Sequence, residues 1–266
     1  MQTPCPPSRS APILPPEPAV AAAPEPLLSV ILPTYNEREN VSVLVPRLLD
    51  ILQDVPCEVI VVDDGSPDGT ADAVREMAGS DARVRLVERS GKAGLASAVF
   101  AGAAEARGRL VAVMDADLSH DPELLPEMLA HAEDGCDVII GSRYVRGGSF
   151  AHQPLVRRLI SRVLNTGVRI MLVLPQHDVL TGYALCRREL LTHMPTRYSS
   201  RGFKWLLELL AVYRGLRVHE SPIVFQNRYA GVSKADAREA IALAVLCLRL
   251  APRRFRRAPA TSASAT

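Results

Sequence analysis

The sequence predicts an α/β fold, a Rossmann-like and mainly parallel sheet flanked by helices. Short β-rich apolar runs alternate with stretches of helical periodicity. The 266 residues, 48% apolar and 23% charged, suffice for one full-sized core. "LLSVILP" (Leu27 to Pro33) reads as a buried strand, "ENVSVLVPRLLDIL" as a helix and "EVIVVDD" (Glu58 to Asp64) as the second strand. "DGTADAVREMA" is a helix opened by Asp68, "VRLVER" the third strand and "GLASAVFAGAAEA" a helix of small residues. "RLVAVMDAD" (Arg109 to Asp117) is the fourth strand. "PELLPEMLAHAE" is a helix with Pro122 at its first turn, and "DVIIGSRY" (Asp137 to Tyr144) is the fifth strand. Beyond Tyr144 the repeat becomes irregular.

Three segments follow from composition. Residues 1–26 hold nine prolines and many alanines without a basic start and apolar core, so a disordered tail is expected rather than a secretory signal. Residues 27–250 are expected to form one folded domain. Residues 251–266 put four arginines around Phe255 and are expected to be a disordered basic tail, solvated or touching anionic lipid. The longest apolar runs fall short of the roughly 20 residues of a spanning helix. A net charge of +2 does not suggest a nucleic-acid binder. Five scattered cysteines without a CxxC pair fit neither a disulfide framework nor a zinc site, which points to a reducing cytosol.

In an open parallel sheet, ligands bind at the carboxyl ends of the strands. Here those ends read "PTYNERE", "VVDDGSPDGT", "MDADLSH" and "GSRY". One Asp before Gly is ordinary turn chemistry. Three acidic ends around one crevice would repel one another unless a divalent cation or a hydrogen-bonding ligand joined them. Asp115 and Asp117, two apart after the apolar run "LVAVM", are suited to share Mg²⁺ or Mn²⁺ with a diphosphate. No GxGxxG follows the first strand, which argues against a dinucleotide-dependent oxidoreductase.

"PTYNEREN", "VVDDGSPDGT", "MDADLSH", "GSRYVRGG" and "ESPIVFQNRYAGVSK", in this order from about Leu28 to Leu248, resemble family 2 glycosyltransferases, particularly dolichyl or polyprenyl phosphate mannose synthases. The resemblance implies a GT-A fold, GDP-mannose as nucleotide-sugar donor, a polyprenyl monophosphate as acceptor and inversion at the anomeric carbon. By position it implies donor contacts at Pro33, Tyr35, Glu37, Val62 and Asp64, and at Asp115, Ala116 and Asp117, with both aspartates as metal ligands. A glutamine ligand used by some relatives falls on Ser119 here. Arg143, Arg228 and Lys234 are implied as the cations for phosphate oxygens, and with Asp117 as the catalytic set. Arg228 to Lys234 reads as a loop hinged at Gly231 that closes over the diphosphate.

The stretch at about 154–174, "QPLVRRLISRVLNTGVRIMLVLP", is an amphipathic helix with Arg157, Arg158, Arg162 and Arg169 along an apolar body. Its pattern also fits a surface helix docked on the sheet. Arg157 and Ser161, four apart on one face, match the pair that holds the acceptor phosphate in similar enzymes. With no spanning segment, the chain is expected on the cytosolic face of a membrane, peripherally or through a separate membrane subunit. One motif departs most clearly from the family pattern. "HDVLTGYALCRRE" carries Leu180 and Ala184 where many mannose synthases have Thr and Arg, and Asp178 remains a candidate sugar contact. Glu208 in "GFKWLLELL" fits a structural or a site-facing role equally, and Gly91 to Gly94 fits helix packing better than a phosphate loop. A related transferase using UDP-glucose or another donor or acceptor, and a catalytically silent nucleotide-sugar or membrane-surface binder, stand as alternatives.

Overall fold

A computed structural model of the chain describes residues 26–91, 94–151, 153–195, 204–226 and 237–251. Strands β1 (Leu28–Thr34), β2 (Cys57–Asp63), β3 (Val84–Glu88), β4 (Leu110–Val113), β5 (Val138–Ser142), β7 (Ala184–Arg187) and β8 (Val218–Pro222) form one sheet, ordered β3-β2-β1-β4-β7-β5-β8. All pairings are parallel except those of β7, which runs antiparallel between β4 and β5. The mainly parallel sheet is therefore found, with one reversed strand that the repeat did not indicate. Strands β6 (Ser149–Phe150) and β9 (Val224–Phe225) pair separately. Every residue of β2, β4 and β5 is buried, as a parallel sheet covered on both faces requires.

Alternation along the strands divides the core in two. Val30, Leu32, Val59 and Val61 pack with α1 (Arg38–Ile51), α2 (Thr70–Ser80) and α4 (Leu125–Glu133). Ile31, Ile60 and Val62 face α3 (Leu95–Glu105), α6 (Arg188–Thr192), α7 (Trp205–Val212) and α8 (Ala237–Leu250). Burying one such aliphatic side chain contributes about 1.5–3 kcal/mol. The small residues of α3 serve this packing. A Cβ on Gly102 would lie 2.8 Å from Ile31 Cγ2 and 3.0 Å from Val62 Cγ2. Helix α4 is preceded by a 3₁₀ turn at Pro122–Leu124, where the Asp121 carboxylate accepts from Glu123 N–H.

Helix α5 (Leu155–Leu172) differs from the others. Only Asn165, Val168 and Leu172 are buried, whereas Leu155, Val156, Leu159, Ile160, Val163 and Ile170 are each more than half exposed. Asn165 anchors it, accepting from Val179 N–H (3.1 Å) and donating to the His177 carbonyl. Arg214 ties its end by donating to the carbonyls of Leu172 (3.0 Å) and Val173 (3.2 Å). Among the described residues, no helix is long and apolar enough to cross a membrane.

Candidate active site

The carboxyl ends of β1, β2, β4 and β5 lie along one edge of the sheet, and β7, being reversed, starts there. The loops after β1 and β2 interlock. Asn36, with φ of 59°, donates its N–H to Ser66 Oγ (2.9 Å). Glu37 N–H donates to Thr70 Oγ1 (3.0 Å) and Arg38 N–H to Asp68 Oδ2 (3.1 Å). Burial works against the charge of Asp68, but hydrogen bonds from Thr70 and Arg38 hold its carboxyl below the usual range. Asp63 is wholly occupied in this frame, accepting from Thr34 Oγ1 (3.1 Å), Ser66 N–H (2.8 Å) and the Ser66 hydroxyl.

Asp64, next along, is the side chain that meets a cation. Its Oδ1 lies 3.2 Å from Arg89 Nη1 at the end of β3, and both groups are largely buried. Arg89 was not indicated by any local motif. Pro33 and Val62 lie within the strands, and the Val62 side chain packs against α3 rather than into the crevice. Glu37 holds Asn40 through its side chain, and Tyr35 sits half-buried between Thr34 and Asn36.

Strand β4 ends at Val113, so Asp115 and Asp117 stand in the turn beyond it rather than on the strand. Asp117 is 4% exposed, and its Oδ1 accepts from Ser119 N–H (3.0 Å). Leu118 between them takes φ of 60°, a left-handed conformation costing about 1 kcal/mol for a residue with a Cβ. Ala116 faces the core, and Ser119 is buried with its hydroxyl lacking a hydrogen-bond partner among the described residues. Asp115 N–H donates to His120 Nδ1 (3.3 Å), and burial pushes the His120 pKa down. The ring is therefore neutral, and its 4.0 Å approach to Asp115 Oδ2 is not an ion pair.

Gly182 closes on the same carboxylate. A Cβ there would stand 3.2 Å from Asp115 Oδ1 and 3.3 Å from Oδ2, a space that only glycine leaves open. A partly exposed Asp115, a buried Asp117 two residues on and an open cradle beside them suit an oxygen-bound divalent cation such as Mg²⁺ or Mn²⁺.

Arg143, immediately after β5, walls the same cleft with Asp115, His120, Gly182, Lys204 and Trp205. Its Nε and Nη2 donate to Asp178 Oδ2 (2.7 Å) and Oδ1 (2.8 Å), and its N–H to Oδ2 (3.0 Å). Burial opposes the guanidinium charge, yet this bidentate pairing raises its pKa above the usual value. Rings of Tyr144, Phe150 and Phe225 lie 5.3–5.5 Å from the guanidinium carbon. Asp178 is completely buried against Arg143, so its contact in the free chain is the arginine. Tyr144 then joins the cleft to α5, its hydroxyl 2.8 Å from Ser161 Oγ. Arg157 lies one turn earlier on α5, on the exposed side. Arg228 and Lys234 lie outside the described residues.

The family description "Glycosyl transferase family 2" matches residues 29–194. A dolichol-phosphate mannosyltransferase from Pyrococcus furiosus is 40% identical over 209 residues, covering 78% of this chain and 58% of that protein. The chain thus spans a little under three fifths of that relative's length. A polyprenol monophosphomannose synthase from Mycolicibacterium smegmatis is 42% identical over 222 residues, 80% of this chain and 83% of the relative. Glucosyl-3-phosphoglycerate synthase from Mycobacterium tuberculosis, solved with Mn²⁺, UDP and glucosyl-3-phosphoglycerate, aligns with a TM-score of 0.62 at 21% identity, covering 86% of this chain and 80% of that one. That likeness shows the GT-A fold, and the family match with the two sequence relatives shows that the chain belongs to the family 2 glycosyl transferases.

Proposed function

We propose that the chain transfers mannose from GDP-mannose to a dolichyl or polyprenyl monophosphate with inversion, acting peripherally at the cytosolic surface of a membrane. One observation carries the reading. The Asp115–Arg143 cleft continues through the Tyr144–Ser161 hydrogen bond onto α5, whose outer face is apolar and exposed. A polar transfer site is thereby joined to a surface suited to a lipid-borne acceptor. The names of the two sequence relatives support the sugar and the acceptor class.

In this reading Asp115 and Asp117 hold Mg²⁺ or Mn²⁺, which supplies Lewis-acid neutralisation of the leaving nucleoside diphosphate. Tyr35, Glu37 and Asp64 flank the nucleotide, with Arg89 fixing the Asp64 carboxylate. Arg157 and Ser161 receive the acceptor phosphate. That phosphate has a second pKa of about 6 and is largely dianionic at neutral pH, so a strong general base is unnecessary. One phosphate oxygen forms the bond to the anomeric carbon while the bond to the diphosphate oxygen breaks, its electron pair leaving with the diphosphate. The protein aligns these atoms and offsets the repulsion between the two anions through Arg143, Arg228 and Lys234.

The test is transfer of label into an organic-extractable lipid from radiolabelled GDP-mannose or UDP-glucose, with polyprenyl phosphate as acceptor. Label from GDP-mannose is expected. Label from UDP-glucose alone would replace the donor, and binding of either nucleotide sugar without transfer would replace the transferase reading with a silent binding protein.

A further inference from the structure

Away from the cleft, Glu127 and His131 of α4 meet His219 of the edge strand β8, and we propose that these three residues bind a zinc-type transition-metal dication. Their ligand atoms lie within 4.8 Å of one another. Glu127 and His131 are four apart, hence on one helical face. His219 is held opposite by the register of β8 on β5, where it pairs with Ile139.

The donor set is made for a cation rather than for packing alone. His131 is 7% exposed, and its Nδ1 has no hydrogen-bond partner among the described residues. An orphaned buried nitrogen costs about 1–3 kcal/mol, and a turn of the ring that brought Nδ1 to a metal would offset it. Glu127 Oε1 lies 3.9 Å from His131 Nε2 and is itself held by the Ser221 hydroxyl at 2.9 Å, the outer support that ligating carboxylates commonly have. The two imidazoles are stacked, with centroids 3.6 Å apart and planes 24° apart. Coordination requires the stacked rings to swing so that a nitrogen of each converges with the carboxylate.

Two imidazoles and one carboxylate suit Zn²⁺, Co²⁺ or Ni²⁺, whereas the all-oxygen pair Asp115 and Asp117 suits Mg²⁺ or Mn²⁺. The two sites share no residue. A metal at the first would staple α4 to β8, and β8 leads into Phe225, which lines the cleft, and Gln226, whose N–H donates to the Ser119 carbonyl (2.9 Å).

The test uses the full chain carrying Asp115→Asn and Asp117→Asn, so that metal at the transfer site does not register. Calorimetric titration with Zn²⁺ should show one equivalent bound, undisturbed by excess Mg²⁺. Co²⁺ should give visible d–d absorption. Adding His219→Ala or Glu127→Gln, both outside the fully buried core, should weaken Zn²⁺ binding at least about tenfold and abolish the Co²⁺ band, with unchanged circular dichroism. Absence of binding in the parent, or binding that survives both substitutions, would overturn the proposal.

Discussion

The two ends of the Asp115–Arg143 cleft are built in opposite ways. On the side proposed for the donor, backbone N–H groups of Asn36, Glu37 and Arg38 are each held by a side chain of the loop after β2 or of the first residue of α2, and Asp63, Asp64, Asp117 and Asp178 are all buried. On the side proposed for the acceptor, α5 buries only three residues of its eighteen and shows solvent most of its apolar surface. A diphosphate and a metal demand charges fixed before the ligand arrives, because preorganised groups need not reorganise during the reaction. A lipid tail demands only exposed apolar area beside a few polar anchors. On the proposed function, fixed charge and exposed apolar surface are divided between the two halves by what each would bind.

The most severe way to break this division is to unbalance the buried pair on the donor side. Asp178→Ala leaves the Arg143 guanidinium without its bidentate partner and should cost about 3–5 kcal/mol in chemical denaturation. Pairing it with Arg143→Met should restore much of that stability but not transfer. Next comes Asp117→Ala, expected to lower kcat by about 10²–10³-fold with the fold unchanged by circular dichroism.

Gly182→Ala sharpens the contrast within the donor half. Its Cβ would press on both Asp115 oxygens, so we expect about a tenfold loss of kcat and a raised requirement for Mg²⁺ or Mn²⁺, with stability nearly unchanged. On the acceptor side, Leu159→Ser at a position 63% exposed should leave thermal unfolding alone and weaken association with anionic vesicles by about tenfold.

The smallest effect concerns Glu208, buried on α7 with its pKa pushed up by burial to about 7 from 4.5. The folded chain holds that proton more tightly than the unfolded one. Its contribution to stability is therefore full below about pH 4.5 and lost as pH rises through about 7. Denaturation midpoints should fall across that window, and Glu208→Gln should flatten the fall.

What could be read in advance follows from how local each signal is. Strands β1, β2, β4 and β5 are continuous apolar runs because both faces of the sheet are covered, so their ends, and with them Asp115 and Asp117, were legible. Strand β7 was not. "ALCR" is four residues long, and its reversed direction depends on where β4 and β5 leave a gap. The Arg143–Asp178 pair is 35 residues apart in sequence, and Gly182 matters only because the Asp115 carboxylate approaches it. Arg89 likewise becomes a site residue only once β3 pairs with β2 and brings it to Asp64. Chemistry at a strand end is a property of sequence, whereas what fixes that chemistry in place is a property of the fold.

The central claim is that Asp115 and Asp117 support metal-dependent transfer of mannose to polyprenyl phosphate, and its most direct test is label transfer from GDP-mannose before and after metal removal. Lipid-bound label should form with Mg²⁺ or Mn²⁺, vanish with EDTA and return on adding the ion back, and Asp117→Ala should stay at least about a hundredfold slower than the parent throughout. Undiminished transfer in EDTA, or normal turnover by Asp117→Ala, would contradict the account.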